Sequence, residues 1–288
     1  MNVSKIATPL SRKAVLVSVS CSQWTARKLD KRITDETNRK YNAAQDAGRF
    51  NKLLIAKEHL QEIQGLVSQV RMLHYSMTQP WTDEGPRILP NVLYTKFSNE
   101  FRVLKRMFND AADKFAAEYP AYVEQRKREL NGLFNDSDYP SPKLIRSKFR
   151  LEHQILPFPN ADDFRANLDE DTVADIRSEI ESTTREVTTH AMRHTVGEIV
   201  KLVGHMSEKL REKDSVFRNS LVDNIRELAD LLPAFNLTDD PKLTDITSRI
   251  KRELCTEDAD TLRKNPYVRR DVQKSADEIV SAVGGLFA

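Results

Sequence analysis

Positions that suit burial recur three and four residues apart through most of this chain, and the recurrence predicts long helices. Leu53, Ala56, Leu60, Ile63, Val67, Val70, His74 and Met77 alternate in this way from Phe50 to Met77, a heptad seam that lets one helix pack along another. A second helix is predicted from Asn91, with Leu93, Phe97, Phe101, Leu104, Phe108 and Phe115 on one face and a stop before Pro120; a further helix runs from Ala121 to Phe134. After Asp169-Glu170-Asp171 a helical pattern continues without proline to about Lys213, on the order of 60 Å of helix. Its stripe begins as Val173, Ile176, Ile180, Thr183 and Val187 and then moves to Met192, Val196, Ile199, Val203, Met206 and Leu210. Such a helix meets two packing partners along its length, or bends. Phe217 to Leu231, Pro241 to Leu254 and Pro266 to Val283 complete the helical set.

Strand patterns are few. Ala14 to Ser20 is short and rich in β-branched residues, and Phe149, Leu151, His153 and Ile155 alternate with polar neighbours, so these two segments are expected to pair. Asp163 to Leu168 adds a candidate third strand. A helix carrying Trp24, Leu29 and Ile33 inward is predicted from Gln23 to Ala47, and Thr78 to Pro90, broken by Pro80, Gly85, Pro86 and Pro90, reads as a loop. The expected fold is mainly α with a small antiparallel β-sheet, its long helices packed as hairpins or as a coiled-coil-like arm. Strand patterning and charge sign both change near residues 159 to 169, which suggests a basic α+β half over 1–165 and an acidic all-helical half over 166–288.

Composition narrows the class without naming a task. Of 288 residues 39% are apolar and 31% charged, with 8 Gly and 2 Cys, which excludes collagen-like, disulfide-stapled and disordered chains. No apolar run approaches the roughly 20 residues of a membrane-spanning helix, and Met1 to Lys13 lacks a secretory pattern, so the expected site is a cytoplasm in which Cys21 and Cys255 stay reduced. The net charge of +2 hides an asymmetry: residues 1 to 150 hold 26 Lys+Arg and 16 Asp+Glu, while residues 151 to 288 hold 19 and 27. That split suits two halves that attract each other, within one chain or between subunits, or else a polyanion facing the basic half.

Three constellations are candidates for chemistry. Arg27, Lys28, Lys31 and Arg32 would share one helical face and grip phosphates, with a solvated face as the plain alternative. His74, Trp81, Asp83 and Arg87 surround the proline-rich loop and form either a pocket or a packing plug. His190 and His194 have a spacing usable for two metal ligands, although Ala191 stands where a zincin carries Glu, and both continue an apolar stripe as packing histidines would. Glycine-rich phosphate loops, nucleophile elbows and cysteine pairs at zinc spacing are absent from the sequence.

Several short stretches occur together: Trp24 to Lys28, Ala47 to Lys52, His74-Tyr75 through Pro80-Trp81 to Leu89-Pro90, Gly132 to Phe134 with Asp138 to Pro140, Asp163 to Arg165, and Phe217 to Leu221 leading to Asn236 to Thr238. In combination they resemble, over almost the full length, a family of uncharacterised proteins of tailed bacteriophages and prophages. The resemblance implies an early or accessory protein in the host cytoplasm and carries over no functional residue. The opening strand followed by Trp24 to Lys28 is more loosely similar to proteins thought to work beside AAA-type ATPases, which would make such an ATPase a partner, since this chain has no ATP-binding motif of its own. The leading expectation is a non-enzymatic binding protein without a cofactor, either a homo-oligomer or a partner-protein adaptor. The alternatives are a nucleic-acid-binding protein of phage replication, recombination or counter-defence, and a metal-assisted hydrolase.

Overall fold

The computed structural model describes residues 10–82, 85–161, 169–212 and 216–285. In chain order the elements are β1 (Ala14–Ser22), β2 (Arg27–Leu29), α1 (Lys31–Lys40), β3 (Asn51–Leu53), α2 (Glu58–Ser76), β4 (Gln79–Pro80), β5 (Arg87–Pro90), α3 (Asn91–Leu130), α4 (Pro142–Ile145), β6 (Arg150–Pro157), α5 (Glu170–Arg211), α6 (Ser220–Phe235), α7 (Pro241–Leu254), α8 (Ala259–Lys264) and α9 (Pro266–Gly284). The chain is mainly α with a small antiparallel sheet of order β4-β5-β1-β6 and a separate two-stranded ribbon of β2 and β3. The strand pair expected from Ala14 to Ser20 and Phe149 to Ile155 is thus present as β1 beside β6. The candidate strand at Asp163 to Leu168 lies outside the described residues.

The segment Thr78 to Pro90, read as a loop, contains two strands. β5 pairs antiparallel with β1, Ala14 opposite Pro90 and Val17 opposite Arg87, and β4 pairs with β5. The prolines do not forbid this: Pro80 sits on the edge strand and Pro90 ends β5, places where a missing N–H removes no bond from a sheet interior. Gly85, at φ +125°, takes a backbone conformation closed to other residues.

Contacts divide the chain into two compact units that interleave in sequence: Met1–Ser18, Met77–Lys96 and Gln154–Ala288 form the first, Val19–Ser76 and Phe97–His153 the second. In the first unit α5 packs mainly on α9, with α6 and α7 completing a helical core that also takes in Leu10, Ala14, Leu16, Ile88 and Phe158. Every residue of the second α5 stripe, Met192 to Leu210, is buried, whereas Val173, Ile176, Ile180 and Val187 of the first are half-buried and Thr183 is exposed. Asp169 caps the start of α5 by accepting from the Thr172 amide, and Arg269 reaches the carbonyls of Lys209, Leu210 and Glu212 at its other end, where a cation also suits the helix dipole.

The second unit is an antiparallel helical hairpin with a small ribbon on it. The His59 ring stacks on Tyr122 at 3.7 Å, while His74 lies 6.4 Å from Phe97, so the two helices run in opposite directions. Leu60, Ile63, Val67, Val70 and His74 of the seam are buried on α2, as are Phe97, Phe101, Phe108 and Phe115 on α3. The helix expected from Gln23 does not form there. Ala26 has φ 49°, Arg27 to Leu29 pair with Asn51 to Leu53, and α1 starts only at Lys31 under an Asp30 cap. Trp24 is held edge-on against Phe115 and Tyr119, a tertiary contact that outweighs its helical spacing. α2 likewise begins at Glu58, because Leu53 belongs to the ribbon.

α3 does not stop at Pro120; it continues to Leu130. A proline inside a helix costs roughly 3 kcal/mol, but contacts on both sides of it hold the helix in line. The Tyr119 hydroxyl donates to the Pro140 carbonyl at 2.9 Å, and beyond the proline Arg126 donates to the Leu53 carbonyl at 2.8 Å. The helix ends where Asn131 takes φ 45°, a left-handed terminus.

Candidate functional site

Burying Phe97, Phe101 and Phe108 turns the opposite side of α3 to solvent, and that side is not uniformly polar. Lys96, Glu100, Val103, Met107 and Asp110 are all exposed and fall four and three residues apart, a second stripe on the same helix. Beside it the outer face of α2 shows Met72 and Tyr75. Met72 is 68% exposed, Tyr75 60%, Val103 47% and Met107 46%. Between the helices runs an open groove of about 520 Å³ lined by Gln69, Met72, Leu73, Asn99, Val103 and Leu104 among others. Arg102 donates to Asn99, one of the lining residues, at 3.4 Å. Large apolar side chains clustered on one helical face, with charges around them, make the type of surface that takes another helix. Sequence reading passed over this stripe because the stronger phenylalanine stripe on α3 dominates its periodicity; Met72 and Val103, apolar yet off both seams, were the available signal.

The four basic residues read as one helical face are divided between two elements. Arg27 and Lys28 lie on β2, Lys31 and Arg32 in the first turn of α1, and all four are exposed with no ion-pair partner among the described residues. Tyr41 and Phe50, both exposed, belong to the same ribbon-and-helix substructure, with the Lys40 ammonium 5.9 Å from the Tyr41 ring centre.

Of the loop set, His74 is buried on α2 in the second unit, and Trp81 and Arg87 belong to the first; Asp83 lies outside the described residues. Trp81 packs edge-on against Phe158 at 4.9 Å, and the Arg87 guanidinium donates to the hydroxyl and carbonyl of Thr78. His190 and His194 are both exposed on α5. The His194 Nδ1 is 3.0 Å from the Gln79 amide oxygen, and among the described residues no group of three or more His, Cys, Asp or Glu gathers around a point. Partial desolvation is the main cause that holds His194 below the ordinary histidine range.

One polar cluster was not foreseen. Lys52, only 5% exposed, is caged by Asp138 at 2.7 Å and Asp30 at 3.2 Å and donates to the Leu133 carbonyl at 3.0 Å. Desolvation draws its pKa down, but the bonds to Asp138 and Asp30 outweigh this and hold it above the usual lysine value. A lysine so held stays an ammonium and is no nucleophile or base at neutral pH. Nearby, Tyr139 donates to the Leu54 carbonyl, and burial pushes Tyr119 and Tyr139 up to about 12. The stretches Trp24 to Lys28, Ala47 to Lys52, Gly132 to Phe134 and Asp138 to Pro140 meet at this knot, which ties the ribbon to the end of α3.

No protein-family model, curated protein sequence or solved structure matches the chain. Among the described residues no helix is long and apolar enough to cross a membrane.

Proposed function

We propose that this chain is an accessory protein that works by binding, through the outer face of the α2–α3 hairpin, as a homo-oligomer or as an adaptor for a partner protein. One observation carries the reading: Met72 and Val103 stand exposed on either side of an open groove between two adjacent helices, and Tyr75 and Met107 are exposed on the same two helices. Isolated exposed apolar residues are ordinary on a protein surface; a contiguous set on a helical pair is the feature that marks partner sites.

Methionine oxidation reads this face directly. Dilute peroxide is expected to convert Met72 and Met107 to sulfoxides readily in the dilute purified protein and far more slowly in extract from cells that express the chain, as measured by peptide mass spectrometry. Equal oxidation in both settings would count against an occupied face.

A second reading rests on a separate feature, the exposed cations Arg27, Lys28, Lys31 and Arg32, none in an ion pair among the described residues, on the substructure that also exposes Tyr41 and Phe50. Cations that track phosphates and aromatic rings that stack on bases are the two elements of single-strand binding. Reversal of all four charges should then abolish salt-sensitive binding of oligonucleotides in a fluorescence anisotropy titration. Binding by the parent chain that does not change with salt, or no binding at low salt, rejects it.

A further inference from the structure

We infer that the occupant of the α2–α3 face is a second copy of this chain, seated antiparallel so that the two α3 helices cross at Val103 about a two-fold axis. The inference rests on the binding role proposed for that face and goes beyond it by naming the partner. It follows from the order of charges along the exposed stripe. Lys96, Glu100, Val103, Arg106 and Asp110 are all exposed, and among the described residues none of the four charged ones forms an ion pair within the chain. A two-fold axis through Val103 sets each residue against the one equally distant on the other side of position 103. Glu100 then faces Arg106 of the second copy, and Lys96 faces Asp110. The same operation sets Asn99 against Met107 and Val103 against itself.

Both charge pairs are thus complementary in one arrangement, and each occurs twice because the interface is isologous. A parallel arrangement in register would oppose Glu100 to Glu100 and Arg106 to Arg106, a like-charge penalty that selects against it. Lys96, Glu100, Val103, Met107 and Asp110 keep the four-three spacing of helices packing side by side, with Arg106 flanking that line, and the groove beside Val103 admits the ridge of a neighbouring helix. Glu100 itself lines that groove, so its carboxylate already stands where the second helix would lie. Met72 widens the apolar strip that each α3 meets. Polar groups at the rim and apolar ones at the centre are the usual anatomy of such an interface.

Sedimentation velocity from nanomolar to high micromolar concentration tests the idea, with charge exchange as the discriminating measurement. The parent chain is expected to dimerise, and Glu100→Arg or Arg106→Glu alone should weaken the dimer by about tenfold or more. The Glu100→Arg, Arg106→Glu double variant should restore it, a rescue that general surface damage would not produce. All these positions are exposed, and circular dichroism confirms that each variant is folded. In parallel, Val103→Cys should give a disulfide between the two copies at position 103 under mild oxidation, identified by peptide mass spectrometry, and Ala117→Cys should not. A chain that remains monomeric throughout, a dimer indifferent to the charge reversals, or a missing 103–103 link overturns the inference. Should the chain be monomeric while Met72 and Met107 are protected in extract, only the identity of the occupant falls and the binding face stands. Should those methionines be unprotected as well, both fall.

Discussion

Lys52 shows how much one buried charge can constrain. Its ammonium neutralises two carboxylates that are themselves nearly covered, and without it Asp30 and Asp138 would face each other in a site poorly reached by water. Lys52→Met keeps the volume and removes the charge; leaving buried ions unpaired costs about 3–5 kcal/mol, to be read as a shift in urea midpoint at constant slope. The same cage sets an acid limit. Asp30 is held below the usual carboxylate value first by the Ile33 amide and then by Lys52, so its contribution is present above its unfolded value and is lost as pH falls through the lower folded value. Desolvation by burial is the main cause that also lowers His153 and His194, and these groups favour the neutral form in the folded chain. Their contribution fades as pH falls below the ordinary histidine value of about 6.5, before the aspartates respond near 4. Stability measured against pH should accordingly hold through neutrality, decline gently below that first point and fall steeply below the second. A profile that rises on acidification would contradict the cage and both histidines.

At the level of elements, the hydrophobic period located the helices well and their ends less well. The α2 seam and the second α5 stripe are buried as the spacing implies, because a repeat of three and four generates a covered face whatever the neighbour is. Where local preference and tertiary contact disagreed, contact prevailed. Trp24 was drawn into the α3 aromatics and pulled its segment out of helix, and Pro120 was carried inside α3 by bonds made on either side of it. Pro120→Ala should therefore stabilise the protein by about 1–3 kcal/mol, since it restores an amide to a helix that already continues through that position, and thermal unfolding will show the shift. A destabilised variant would contradict this account of α3.

For the molecule as a whole, the chain's own order is a poor guide to its compact units. β1, α3 and β6 each pass from one unit into the other, because a strand or helix longer than one core needs is continued into the next. The acidic segment 166–288 accordingly lacks Leu10, Ala14, Leu16, Ile88 and Phe158, which complete the core around α5, α6, α7 and α9. Expressed alone, that segment should keep helical circular dichroism but lose near-ultraviolet signal and NMR dispersion, the behaviour of helices without fixed packing. Charge follows the units as well as the sequence halves: the second unit holds 21 Lys+Arg against 15 Asp+Glu, so the exposed hairpin and ribbon both belong to the more basic body. Sequence alone determined where the long helices run, that β1 and β6 are strands, and that the chain is electrically lopsided, because periodicity and charge are local quantities. Only the tertiary structure decided that Lys52 is caged, that the prolines near β4 and β5 bound a sheet, and that Met72 and Val103 border one groove. Each of those depends on which distant residues arrive at the same place, and a linear pattern holds no distances.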